Sequence, residues 1–291
     1  MINKDARAER VAIFEDTKRL YTTDKRLIDS VNFSKQNQQI IEAGEEVPVP
    51  KAAYDEPAKV VVSKRRSLEA AKQYTNLQVC VLNFASATNA GGGVTKGSGA
   101  QEEAICRCST LYPCIADAKV MGGFHYKHRN ALQAGQMNAL YNDDCIYTPK
   151  VMVFKEDTEH PKLLPENEWY NVDVISCAAP NLRDKPSNAM NPDSGDTAVS
   201  IKPDELSKLH KKRMGRILDI AGLHGAEVVI LGAFGCGAFQ NPPNIVAEAI
   251  YEMIENYRNH FKVIEFAVYC SPKDTGNYDA FKRVFAAMGS E

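Results

Sequence analysis

Two carboxylates stand side by side in Gln101-Glu102-Glu103, seven residues after the glycine triplet Gly91-Gly92-Gly93. A glutamate can give or take a proton at a reacting oxygen. A run of glycines lets the backbone take positive φ and approach a ligand closely. Each half alone has a plain explanation. Carboxylates in a first helical turn are favoured by the helix dipole, and glycines also make flexible loops. Their succession off a buried strand shifts the balance towards chemistry. Adjacent helical residues point about 100° apart, so Glu102 and Glu103 cannot address one atom in the same way. They do not make the opposed acid/base pair of an ordinary glycosidase. One should carry the proton chemistry and the other should position the substrate. The segment is not a Walker loop, because Lys96 is followed by Gly97 and not by Ser or Thr at the required spacing.

A second glycine-rich turn runs Gly232-Ala233-Phe234-Gly235-Cys236-Gly237-Ala238-Phe239-Gln240-Asn241, with Pro243 suited to a first helical turn. Its N–H groups could converge on an anion, and Phe239 could cover a ribose or base. A plain strand-to-helix turn would read similarly. Cys236 has no His or Asp near it in sequence, so a small residue packed against the loop explains it better than a nucleophile. Asn83, among apolar neighbours, needs a hydrogen-bond partner. Ser176 to Asn181 could line the same end of the sheet, and His125, Tyr126, His128 and Arg129 could form a substrate rim. None of the six histidines is assigned to a metal or to catalysis, and no cofactor is expected.

These segments need a scaffold. Nearly continuous apolar runs at Val79–Phe84, Val151–Phe154, Val172–Cys177, Val228–Gly232 and Val263–Tyr269 suit strands buried on both faces. A short strand is expected at Val60–Val62, with Ser63 capping a helix through Leu68, Ala71 and Tyr74. Helical patterns fill Asp204–His224, Ile245–His260 and Tyr278–Met288. Alternating strands and helices imply an α/β sandwich with a mostly parallel sheet. Ligands gather at the carboxyl ends of such strands, where both glycine loops fall. Asn181–Pro203 reads as loop, and Gly122–Tyr147 as a helical insertion. At the N-terminus Ala6–Tyr21 is helical in pattern. The signal weakens from Thr22 to Pro57, so residues 1–58 are expected to be a helical extension packed on a catalytic domain of residues 59–291.

The chain has 291 residues, 44% hydrophobic and 25% charged, with a net charge of −2. No basic excess argues for duplex nucleic acid as the main partner. Eight cysteines lack any C-x-x-C pairing and several lie in apolar runs, as reduced core thiols do. Met1 to Asp5 lacks a signal-peptide stretch, and no run reaches the ~18 apolar residues of a membrane span. A cytoplasmic monomer is expected.

The stretch from Asn89 through Gly93 to Gln101-Glu102-Glu103 resembles the signature of poly(ADP-ribose) glycohydrolases. Val81–Ser86, Cys106–Ser109, Tyr147-Thr148-Pro149, Ala179–Arg183 and Gly235–Asn241 are similar to the microbial branch of that family. The match spans nearly the whole chain. The resemblance implies a macrodomain-like three-layer α/β/α sandwich with a mixed sheet. It implies binding of ADP-ribose, poly(ADP-ribose) or ADP-ribosylated macromolecules. It gives Glu103 the role of catalytic acid and Glu102 that of holding ribose hydroxyls, with Gln101 beside them. It gives Asn89 to the distal ribose, Gly91, Gly92 and Gly93 to the diphosphate and ribose, and Gly235, Cys236, Gly237, Ala238 and Phe239 to the diphosphate. One departure is Ala90, where that branch commonly carries proline; no functional group is lost. The implied reaction is hydrolysis of ribosyl O-glycosidic bonds from chain ends. The adenosine end is not fixed by a motif, though Ser271–Tyr278 could border it. Two alternatives stay open: release of mono-ADP-ribose from protein, nucleic acid or an acyl group, and a non-catalytic reader of ADP-ribose.

Overall fold

The computed structural model describes residues 4–271 and 273–288. The expectations for Met1–Asn3 and for Pro272 lie outside the described residues. The strands are β1 (Gln39–Ile41), β2 (Lys59–Ser63), β3 (Val79–Phe84), β4 (Cys145–Val153), β5 (Tyr170–Cys177), β6 (Val228–Leu231) and β7 (Val263–Ala267). The helices are α1 (Lys4–Thr23), α2 (Lys25–Asn37), α3 (Ser67–Ala71), α4 (Gln101–Cys108), α5 (Leu111–Ile115), α6 (Ala118–Val120), α7 (Lys127–Gln133), α8 (Pro203–Leu223), α9 (Pro243–Ile254) and α10 (Gly276–Phe285). The strands form one sheet in the order β1-β4-β5-β3-β6-β7-β2. Strands β5, β3, β6, β7 and β2 run parallel, and β4 pairs antiparallel with β5 and β1. The sheet is therefore mixed and mostly parallel, as expected.

Period-two alternation divides each apolar strand between two cores. Cys80, Leu82, Ile175, Val229 and Leu231 pack against α8, α9 and α10. Val79, Val81, Val172, Val174, Val228 and Ile230 pack against α1, α3, α4 and α5. That is the three-layer α/β/α sandwich. No helix of the described residues is long and apolar enough to cross a membrane.

Three local expectations are corrected. Thr22–Pro57 holds a regular helix, α2, which Asp24 caps through its Oδ1 to the N–H groups of Arg26 and Leu27. Its buried face is Leu27, Ser30, Val31 and Ser34, so half of it is serine and an apolar count passes over it. Ser63 does not cap α3: its hydroxyl donates to Glu265, and the N-cap position belongs to Arg66. Strand β4 starts at Cys145, six residues before the expected Val151–Phe154 run, which is all the sequence shows because a register shift between Thr148 and Val151 interrupts the strand. The helical insertion expected within Gly122–Tyr147 is present as a π-helical turn, Met121–Tyr126, running into α7. The N-terminal segment also supplies β1, whose Gln39 and Ile41 face Tyr147 and Cys145 of β4.

Candidate active site

Strand β3 delivers the chain to its carboxyl end at Phe84, and the glycine loop follows. Gly91 and Gly92 take φ of +68° and +57°, conformations that favour glycine. Gly97, with positive φ, lets the loop lie against the Arg7 carbonyl of α1. Gln101 then ties the start of α4 back to the strand. Its Oε1 accepts from the Phe84 N–H at 2.8 Å, and its Nε2 donates to the Leu82 carbonyl at 2.7 Å and Ser67 Oγ at 2.9 Å. Its amide is spent on positioning, although it lines the cleft.

This anchoring places two buried carboxylates with separate partners. Glu102 Oε2 accepts from the Ser86 N–H at 2.8 Å, and its Oε1 faces Asn83 Nδ2 at 3.4 Å. Burial pushes the Glu102 carboxyl well above its ordinary range, and the neighbouring Glu103 adds to this; the Ser86 N–H, Asn83 and the Gly91 N–H oppose it. Glu103 Oε1 accepts from the Gly93 N–H at 2.9 Å. Its Oε2 accepts no hydrogen bond among the described residues, and Glu103 lines the cleft. A Cβ on Gly92 would lie 2.6 Å from Glu103 Oε1 and 3.2 Å from Glu102 Oε2, so this glycine keeps both carboxylates in place.

The second loop leaves β6 at Leu231. Gly235 takes φ +80°, and Asn241 braces the turn: its Nδ2 donates to the carbonyls of Pro180 (2.7 Å) and Gly235 (3.0 Å). Its Oδ1 accepts from His210 Nε2 at 2.9 Å. The N–H groups of Gly235, Gly237, Ala238 and Phe239 have no acceptor among the described residues, and all four residues line the cleft. The Cys236 N–H instead bonds the Ala233 carbonyl, and its side chain packs into the core. Unpartnered N–H groups in a turn ahead of helix α9 make an anion seat.

The cleft between these loops has a volume of about 400 Å³. It brings together Gly92, Gly93, Gln101, Glu102, Glu103, Gly235, Gly237, Ala238 and Phe239. It does not take in Asn89, Gly91 or Cys236. Asn89 Nδ2 donates to Thr88 Oγ1, Asn191 Oδ1 and the Pro192 carbonyl, and its Oδ1 accepts from Arg129. Gly91 is turned towards the Tyr112 ring, which a Cβ there would meet at 2.8 Å. Asn83 holds Ser176 Oγ and Glu102, a structural bond behind the site. His125 and His128 form no rim. They are buried beside Phe124, and His125 Nδ1 meets the Ala87 carbonyl, so this helical stretch supports the glycine loop from behind. Ala179 and Asn277 do line the cleft.

Several lining residues had no motif to announce them. Arg66 follows the end of β2, and its guanidinium lies 4.0 Å from the Tyr269 ring at the end of β7. Arg183 stands 5.4 Å from the Phe239 ring. Met190 and Asn191 come from the loop after β5. Position at a strand's carboxyl end is the signal that could have found Arg66 and Tyr269.

The profile of the microbial-type PARG catalytic domain, PARG being poly(ADP-ribose) glycohydrolase, matches residues 8–156, and the chain belongs to that family. Among solved structures, the poly(ADP-ribose) glycohydrolase of Thermomonospora curvata is similar at 27% identity and a TM-score of 0.79, covering 96% of this chain and 100% of that one. The same enzyme bound to the inhibitor ADP-HPD matches at 27% identity and a TM-score of 0.76, over 95% and 99% of the two chains. The poly(ADP-ribose) glycohydrolase of Deinococcus radiodurans in complex with ADP-ribose matches at 26% identity and a TM-score of 0.72, over 89% and 97%. No curated protein matches the chain.

Proposed function

We propose that this protein hydrolyses poly(ADP-ribose) to ADP-ribose, with Glu103 as general acid and then general base. The observation that carries the assignment is the division between the glutamates. Both Glu102 oxygens meet protein donors, whereas Glu103 keeps Oε2 free on the cleft. Cleaving a ribosyl O-glycosidic bond builds positive charge on the sugar and needs a proton on the leaving oxygen. In the proposed step the bond from the distal ribose C1″ to the leaving oxygen breaks as Glu103 gives that oxygen its proton. Glu103 then takes a proton from water as the water oxygen attacks C1″. Glu102 holds the ribose hydroxyls, and the free N–H groups of Gly235, Gly237, Ala238 and Phe239 hold the diphosphate.

The order of strands extends the reading. The carboxylates follow β3 and the anion seat follows β6, so the adenosine lies towards β7 and β2. There the half-exposed Tyr269 ring, with Arg66 on it, offers a stacking surface. Release from chain ends, and a monomer in the cytoplasm, belong to the same proposal. Eight unpaired thiols, seven of them buried, support a reducing compartment. We propose the division into an extension, 1–58, and a catalytic domain, 59–291, with the extension built into the fold through Phe14 of α1 in one core and β1 at the edge of the sheet.

Incubation with labelled poly(ADP-ribose), mono-ADP-ribosylated protein and ADP-ribosylated DNA separates the alternatives. The proposal expects ADP-ribose from the polymer. Release from the mono-modified substrates alone would point to the mono-ADP-ribosyl hydrolase, and binding without release to a reader.

A further inference from the structure

The loop between β5 and α8 lines one side of the cleft and meets the glycine loop through Ala189, Asn191, Pro192 and Ser194. Asn191 is 9% exposed and lines the cleft. Its Oδ1 accepts two hydrogen bonds, from Ser86 Oγ at 2.7 Å and from Asn89 Nδ2 at 2.8 Å. Its own backbone N–H donates to Asn188 Oδ1, so the residue is fixed from both ends. Its Nδ2 donates to no acceptor among the described residues. A primary amide held by its oxygen has its NH2 group set in a defined direction with unused donors. The Ser86 that holds Asn191 also gives its N–H to Glu102. Asn191 therefore stands on the carboxylate side of the cleft, where the distal ribose must lie if Glu103 is to reach C1″. Asn89, the loop asparagine that the resemblance gives to that ribose, has its amide fully committed elsewhere.

We infer that Asn191 is a ligand-binding and specificity-determining residue, donating from Nδ2 to a hydroxyl of the distal ribose, and that Asn89 serves to anchor it. The inference rests on the ADP-ribose reading of the cleft. It makes the β5–α8 loop, together with Glu102, a part of the molecule that tells a nucleoside diphosphate carrying a second ribose from one that does not.

The test is calorimetric titration of ADP-ribose and of ADP, which lacks the distal ribose, into the wild-type chain and two variants. Asn191→Asp keeps the acceptor for Ser86 and Asn89 and removes the donor; Asn191→Ala removes both. The inference expects both variants to bind ADP-ribose about five- to tenfold more weakly, the factor one lost hydrogen bond gives, with ADP affinity within about twofold of wild type. A new charge repelling the diphosphate, or a collapsed loop, would weaken both nucleotides alike. Equal weakening of the two, or unchanged ADP-ribose affinity, overturns the inference alone. A wild-type chain that takes up neither nucleotide overturns the functional reading and the inference with it.

Discussion

Consecutive glutamates at the start of α4 meet different fates because the loop they face bends back on them. Glu102 is turned to the loop's beginning, at Ser86, and Glu103 to its end, at Gly93. The first is costly to the fold. Its raised pKa means that the folded chain holds a proton there more tightly than the unfolded chain. The stability this gives is complete below the ordinary carboxylate pKa and is lost as pH rises through the folded value. Ionising this buried carboxyl is therefore a burden on the fold. Glu102→Gln is expected to melt a few degrees higher at pH 7, on the order of 1 kcal/mol, while losing activity. The amide can pair with Asn83, whose Oδ1 has no partner among the described residues. Thermal unfolding against pH checks this: an unchanged or lower melting temperature at pH 7 contradicts the burden assigned to Glu102.

At the scale of elements, the two ligand loops are held by a buried scaffold that no loop motif reveals. Arg213 of α8, fully buried, donates to Asp143 Oδ1 at 2.9 Å and to the carbonyls of Ala178 (2.9 Å) and Leu140 (2.6 Å). Burial alone would raise the Asp143 carboxyl, but Lys212 and Arg213 hold it below its ordinary range. Asn241 carries the same support into the Gly235 turn through the Pro180 carbonyl. Removing Arg213 leaves Asp143 with Lys212 alone and takes the Arg213 donor from the Ala178 and Leu140 carbonyls, so Arg213→Ala should cost about 3–5 kcal/mol, read from denaturant unfolding. A cost below about 1 kcal/mol, as a surface ion pair gives, contradicts this role. The N-terminal helix acts similarly on the first loop. Thr17 Oγ1 donates to the Arg107 carbonyl of α4, and Arg10 lies against Gly99 in the connector to Gln101.

Over the whole molecule, the sandwich was legible wherever burial writes a simple period. The runs at Val79, Val172, Val228 and Val263 became β3, β5, β6 and β7, because strands covered on both faces need apolar residues throughout. The helix α2 was not, because its buried face uses serines that bond across to the Pro149 and Lys150 carbonyls. At the site, glycines and carboxylates could be found by spacing. Arg66 and Tyr269 are marked only by lying just past strand ends, and Asn191 not at all, since chain separation hides which loops meet at the carboxyl ends of the strands. His125 and His210 show the same limit. Their spacing says nothing, but burial drops them to about 3 and about 4, so both are neutral within the fold. The unfolded chain takes up protons at these rings as pH falls below their ordinary 6.5, and the folded chain does so only nearer those lower values. Stability should therefore fall as pH drops from 6.5 towards 4, opposing the contribution of Glu102. Asn substitutions at His125 and His210 should flatten that slope in a melting-temperature profile; a slope unchanged by both substitutions contradicts the assignment.

The proposed function gives Glu103 the proton transfer and the rest of the cleft the binding of ADP-ribose. Glu103→Gln keeps the shape and an oxygen for the Gly93 N–H, and removes the proton donor. Its hydrolysis of poly(ADP-ribose) and its affinity for ADP-ribose should be measured side by side. ADP-ribose affinity should stay within a few-fold of wild type and hydrolysis should slow by about 10²–10⁴, the range that general acid catalysis supplies. A Glu103→Gln enzyme that binds ADP-ribose and hydrolyses the polymer at the wild-type rate would contradict that function of Glu103.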